Sequence, residues 1–263
     1  MSRKSPHPSG APLVLSLFPG IDLLGRAFEA QGMCVVRGPD KILGGDVRDF
    51  HAPAGRFDGV IGGPPCQDFS TLNRRPGQYG HKMTEEWIRL VLEAQPDWFL
   101  YENVSTAPRF VIPGYTQQRF DLDLAWFSEY SRRRIFVFGS KSGARLDPMK
   151  GSKGEVAGGC VTGSDERSFS ACCEIQGLPP DFDLPFFSLE GKKQAVANAV
   201  PLALGGYVAE LISAAVYGSA SERPQGPPER SCACECGRRV LGRALYASAA
   251  CRKRAQRVRD REA

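Results

Sequence analysis

Apolar positions along this chain fall into two periods. Short continuous runs, several rich in β-branched or aromatic residues, read as buried strands at Leu13–Phe18, Met33–Val36, Gly59–Ile61, Trp98–Tyr101 and Ile135–Phe138. Between them the spacing turns helical. Leu23–Gln31 is a helix closed by Gly32, and Thr84–Glu93 is another, with Thr84 as its cap and Trp87, Leu90 and Val91 on one apolar face. Further on, Ser168–Gln176 reads as a helix packed on the core, Pro179-Pro180 as a turn and Leu202–Tyr217 as a long helix. Strands alternating with helices predict an α/β fold with a mostly parallel, doubly wound sheet. Trp87 and Trp98 belong to its core, and Cys172-Cys173 are filler in it.

Composition divides the chain. Residues 1–11 are polar and expected to be disordered; 12–217 carry the periodic pattern of one domain; 218–229, with Pro224, Pro227 and Pro228, are a linker; 230–263 are a separate small tail. Within the domain, 141–167 are rich in Gly, Ser and Lys without a period and read as an irregular insertion. No run of about eighteen apolar residues occurs and the amino terminus has no apolar leader, so a membrane partner and secretion are not expected and the cytoplasm is. The net charge of +5 is uneven, because residues 230–263 hold ten Arg or Lys against three Asp or Glu. That tail suits a polyanion. The nine cysteines, an odd number of which four lie in the tail, point to thiol chemistry or metal binding rather than disulfides.

One segment carries chemistry. Gly62-Gly63-Pro64-Pro65-Cys66-Gln67-Asp68-Phe69-Ser70 follows a strand, so glycines turn the chain, prolines stiffen it and Cys66 stands at a strand's carboxyl end, where open α/β sheets place their ligands. The plain alternative is a small buried hydrophobe in a turn. Glu102, after the strand Trp98–Tyr101, is delivered the same way. A thiolate attacking an electron-poor ring carbon needs an acid for the ring nitrogen, and a carboxyl with a raised pKa supplies one.

In order along the chain, Phe18-Pro19-Gly20, Asp40, Asp46, Pro64-Pro65-Cys66-Gln67, Glu102-Asn103-Val104, Arg132-Arg133-Arg134 and Ala197-Asn198-Ala199-Val200-Pro201 resemble the motifs of cytosine-C5 DNA methyltransferases. The resemblance spans about residues 12–217 and implies a Rossmann-like fold that uses S-adenosylmethionine on double-stranded DNA, with no obligate protein partner. Cys66 would add to C6 of a flipped cytosine, Glu102 would bind N3 and the amine, Arg132 would hold the base O2, and Arg134 would support the catalytic loop or the DNA backbone. Ser70 would close over the DNA. For the cofactor the resemblance implies Phe18 against the adenine, Gly20 and Ile21 in the turn, Asp40 on the ribose, Asp46 and Val47 at the adenine, Pro65 beside them, and Asn198 and Val200 closing the pocket. An RNA cytosine methyltransferase and a DNA-binding protein without turnover are the other readings.

Three positions depart from the pattern: Asp22 replaces a glycine, Tyr130 a glutamine and Ala197 a glycine. The recognition segment is reduced to 141–167, where Lys141, Arg145, Lys150 and Lys153 are candidates for phosphate contact or for a solvated loop. The compact form is similar to those carried by phages, so a bacterial or phage-infected cell is the expected setting. In the tail, Cys232, Cys234, Cys236 and Cys251 form a candidate structural Zn²⁺ site, similar to small zinc-ribbon tails, in which Ala247 stands at a usual cysteine position. The alternative is a disordered basic tail.

Overall fold

The computed structural model describes residues 10–69, 75, 77–148 and 156–218, and in the tail 230–232, 234, 239, 240, 251, 253, 256 and 257. Its elements are β1 (Leu13–Leu17), α1 (Leu23–Ala30), β2 (Cys34–Arg37), β3 (Gly59–Gly62), α2 (Tyr79–Ala94), β4 (Trp98–Asn103), β5 (Thr116–Asp123), β6 (Tyr130–Ser131), β7 (Arg133–Ser140), β8 (Gly158–Gly159), α3 (Phe169–Ile175), α4 (Leu189–Asn198) and α5 (Leu202–Tyr217), with β9 (Arg230–Ser231) and β10 (Arg239–Val240) in the tail. Six strands form the central sheet in the order β2-β1-β3-β4-β7-β5. β2, β1, β3 and β4 are parallel, while β7 runs against both β4 and β5, so five strands share one direction.

Alternation along the strands builds two cores. Val14, Trp98 and Leu100 face α1 and α5, packing with Phe28, Leu204 and Ile212. Leu15, Phe99 and Tyr101 face the other way, against Trp87 and Leu90 of α2. A period of two in the strands, each side covered by helix, is what the near-continuous apolar runs required. Trp87 and Trp98 are fully buried, as expected, and so is Cys172.

Several expectations need correction. α2 begins at Tyr79, five residues before Thr84, and Thr84 is not its cap: it lies inside the helix, its hydroxyl donating to the Gly80 carbonyl at 2.9 Å. The start is instead fixed by Asp68, whose carboxylate accepts from the N–H groups of Gly77 and Gly80 at 2.8 and 2.6 Å. β5 and α4 carry no clear single-sequence signal, because β5 is half polar and α4 has a weak apolar face. The stretch Leu189–Tyr217 is apolar and long enough to cross a membrane by length and composition. It is nevertheless broken at Ala199–Pro201, and α5 lays Leu204, Val208 and Ile212 into the core.

Nor is 141–167 wholly solvated. Leu146 is buried, clamped by both amide atoms of Gln118, and Gly158–Gly159 pairs with β6. Lys141 is displaced from the expected role by topology. β7 is antiparallel, so Ser140 pairs with Trp98 at the start of β4, and Lys141 follows at the edge opposite Cys66, donating to the Gln95 carbonyl at 2.7 Å. Lys150, Lys153, Ser70, Cys236 and Ala247, together with residues 1–9 and 219–229, lie outside the described residues.

Candidate active site

The parallel strands deliver their ends to one edge of the sheet, and a cleft of about 200 Å³ opens there. Phe18, Gly20, Ile21, Asp40, Asp46, Val47, Pro65, Cys66, Glu102, Arg134 and Asn198 all line it. Val200 lines a smaller neighbouring pocket, shared with Phe18, Asp22, Glu102 and Asn198.

The turn after β1 is unusual backbone. Phe18, Gly20 and Asp22 all have positive φ, at 53°, 56° and 54°. For the two non-glycine residues this costs of order 1–3 kcal/mol each, strain that concentrates where ligands are held. Asp40 pins the turn, accepting from the Gly20 N–H at 3.0 Å and from the Ile42 N–H at 2.8 Å. Asp46 caps the next short turn and pairs with Arg48 at 2.5 Å, which drives its carboxyl well below the ordinary range. An apolar slot bordered by Phe18, Ile21, Ile42 and Val47, with two carboxylates at its rim, has the character a nucleoside with hydroxyls and an amine requires.

Asp22, the residue in place of a glycine, does not project into the larger cleft. It is 3% exposed, accepts from the Ser16 hydroxyl at 2.8 Å and the Gly25 N–H at 3.0 Å, and pairs with Arg37 at 2.8 Å. It caps α1. Gly25 is its necessary companion, since a Cβ there would overlap the Asp22 carboxylate. Burial raises the Asp22 pKa, and Ser16 and Arg37 oppose the rise.

The Cys66 loop is fastened from three directions. Asn103 donates to the Pro64 carbonyl at 3.1 Å, the Thr106 hydroxyl donates to the Phe69 carbonyl, and Asp68 ties the loop to α2. None of these supporting roles was assigned from sequence; Asn103 and Asp68 stood inside quoted motifs, and that proximity was the available signal. Glu102 is 7% exposed, and Gly63 leaves room for it: a Cβ on Gly63 would come within 2.6 Å of Glu102 Oε2.

Across the sheet Glu102 pairs with Phe136, and Arg134, two residues earlier on the same face of β7, reaches back to Glu102 Oε1 at 3.1 Å. Arg132 does not line the cleft. It is 4% exposed and donates to the carbonyls of Val161, Ala197 and Ala199 at 3.2, 2.6 and 3.2 Å, so it braces the chain around Asn198 instead of lining the cleft. The tight turn that separates these fates is built by Asp123, which accepts from the Arg132 N–H at 2.9 Å and from Ser131.

Electrostatically the pair is interdependent. Burial raises the Cys66 thiol pKa, and the Glu102 charge raises it further, while Arg134 and Arg132 pull it down. Burial raises Glu102 as well, against the same arginines. Protonating Glu102 therefore eases ionisation of Cys66, a coupling that suits a nucleophile and an acid working on one ring.

A sheet with one reversed strand between two forward ones, a strained turn after β1 and a thiol–carboxylate cleft define a Rossmann-like α/β fold with a candidate site at its carboxyl edge. Solved structures share the fold. In solved structures the fold recurs in the Entamoeba histolytica methyltransferase EhMeth, with a TM-score of 0.58 at 11% identity over 77% of this chain and 98% of that one. It recurs again in the S. pombe Dnmt2 methyltransferase, with a TM-score of 0.57 at 10% identity over 78% and 100%. Residues 40–108, which contain both Cys66 and Glu102, match the family model of the C-5 cytosine-specific DNA methylases. The Type II methyltransferase M.AgeI of Thalassovita gelatinovora is 33% identical over 119 residues, 40% of this chain and 28% of that protein. M.HgiDI of Herpetosiphon aurantiacus is 34% identical over 100 residues, 34% and 32% of the two chains. Over these stretches the chain is similar to cytosine-C5 methyltransferases. Its matches span about a third of the length of these curated relatives.

Proposed function

We propose that this protein is a cytoplasmic DNA (cytosine-5)-methyltransferase that takes its methyl group from S-adenosylmethionine. The observation that supports this best is the convergence of Cys66, Glu102 and Arg134 on one cleft that also contains the Phe18–Gly20 turn. When bound, the cofactor supplies an electrophilic methyl on sulfur. Phe18, Ile21 and Val47 would hold its adenine, Asp40 and Asp46 its polar rim, and Asn198 the far wall. The chain's own work is on the base. The Cys66 thiol gives its proton to solvent and the thiolate forms a bond to C6 of a flipped cytosine while Glu102 gives a proton to N3, and the electron pair gathers at C5. After methyl transfer the C5 proton leaves to solvent base, the S–C6 bond breaks and the N3 proton returns to Glu102.

The geometry favours Arg134 over Arg132 as the guanidinium facing the base, because Arg134 lines the cleft and holds Glu102. Arg132 is then a positioning residue for the chain around Asn198. Incubation with methyl-labelled cofactor and either duplex DNA or RNA tests the assignment: label on DNA is expected, and label on RNA alone overturns it. Duplex carrying 5-fluorocytosine should become covalently attached to the wild type and not to Cys66→Ser, since fluorine at C5 blocks the final elimination. Tight binding of that duplex without attachment would refute turnover.

A further inference from the structure

The catalytic reading leaves the tail unused, and the tail has its own chemistry. Cys232, Cys234 and Cys251 bring their sulfurs within 4.8 Å of one another, with Cys232 and Cys234 at 3.5 Å. A disulfide would hold two sulfurs at about 2.05 Å. Tetrahedral zinc with Zn–S bonds of about 2.3 Å sets its sulfurs roughly 3.8 Å apart, and three thiols around one point match that arrangement. Cys232 and Cys251 are 1% and 3% exposed.

Packing supports the same conclusion. Among the described residues of the tail, the buried cluster consists of Cys232 and Cys251 with Cys234 against them. The strands beside them, β9 and β10, pair over only two residues each. So short a ladder cannot order a segment by itself, and a metal staple is the usual substitute for a missing apolar core. Three sulfur donors exclude magnesium and calcium, which take oxygen.

We propose that Cys232, Cys234 and Cys251 are thiolate ligands of a structural zinc ion. Each thiol gives up its proton to solvent as it binds, and no electron is transferred. A fourth ligand completes the tetrahedron; in sequence the adjacent thiol is Cys236, outside the described residues. The ion ties the turn after β9 to the helical positions Cys251 and Lys253. Metal occupancy thus governs whether the tail presents its cations as a fixed group or a loose chain.

Elemental analysis of the full chain, purified without chelator, should find about one zinc per chain. Cys232→Ser combined with Cys251→Ser should abolish it, Cys34→Ser should leave it unchanged, and Cys251→His, which keeps a zinc donor, should retain it where Cys251→Ser does not. With Co²⁺ in place of zinc, the absorption bands of tetrahedral thiolate cobalt should appear in the wild type and vanish in the double variant. A zinc-free wild type, or a double variant with its full complement of zinc, overturns the proposal. Methyl transfer by the same preparations is read separately, so failure of the metal site and failure of the catalytic assignment are distinguishable.

Discussion

Asp22 and Glu102 are alike in composition and opposite in use. Each is a buried carboxylate near the carboxyl edge of the parallel strands, each lines the smaller pocket, and each is paired with one arginine. Asp22 is taken up by structure: one oxygen accepts from the Ser16 hydroxyl and from the Gly25 N–H of α1, and the other faces Arg37 as an ion pair. Glu102 is held by Arg134, and among the described residues no backbone N–H is directed at its carboxylate. A carboxylate held by fixed donors of the fold has its position set by them. One held by a single side chain at a cleft wall can exchange a proton with a ligand. On the function proposed above, the contrast favours Glu102 for the chemistry and leaves Asp22 to the architecture.

The largest effect should come from breaking the catalytic half. Glu102→Gln keeps the shape but loses the proton, and should lower the rate of methyl transfer about 10²- to 10⁴-fold. Labelled-methyl incorporation under saturating cofactor measures this, and a variant within a few-fold of wild type would end the distinction drawn between the two acids. Gly63→Ala is the next step down. Its Cβ would displace the Glu102 carboxylate, the mobile end of a side chain, so the fold should lose less than about 1 kcal/mol. The rate should fall by up to about 10²-fold, because displacement of a catalytic group by an ångström is that costly.

How much of this could be read from residues alone follows the same division. Cys66 and Glu102 were legible because their flanks, Pro64-Pro65 and Asn103-Val104, are themselves constrained by strand ends and turns. The parallel half of the sheet was legible because its strands are covered on both faces and read as apolar runs. β5 was not, since half its residues face solvent or polar partners. The separate fates of Arg132 and Arg134 were not legible either, because they depend on a turn closed by Asp123 through contacts across nine residues and on the return of the chain at Ala197. Asp22 looked like an obstacle to a ligand, and only its partners Ser16, Gly25 and Arg37 reveal a helix cap.

The architectural half is tested by stability rather than rate. Asp22→Ala removes the cap and leaves Arg37 without its buried partner while keeping φ at 54°. A loss of about 2–3 kcal/mol in urea denaturation is expected. Asp22→Gly loses the same contacts but relieves the left-handed backbone, so it should be about 1 kcal/mol less damaging. Equal losses in the two variants would show that the strain in this turn is not carried by residue 22.

The smallest effect, and the most discriminating, is in the pH dependence of stability. Burial raises the pKa of both acids, so the folded state binds their protons more tightly than the unfolded chain does. The stability each contributes is complete below its unfolded pKa, ordinarily 3.8 for Asp22 and 4.5 for Glu102, and is lost as pH rises through the folded value. Asp22→Asn and Glu102→Gln each delete one contribution. Urea midpoints measured across that acidic range should therefore flatten in both variants. They should flatten more for Glu102→Gln, because the Ser16 hydroxyl and the Gly25 N–H favour the ionised form of Asp22 and offset part of its burial, whereas Glu102 has only guanidinium charge against it. A larger flattening in Asp22→Asn would mean that the cap is the less well compensated of the two charges, and would reverse which carboxylate the fold holds in readiness for a proton.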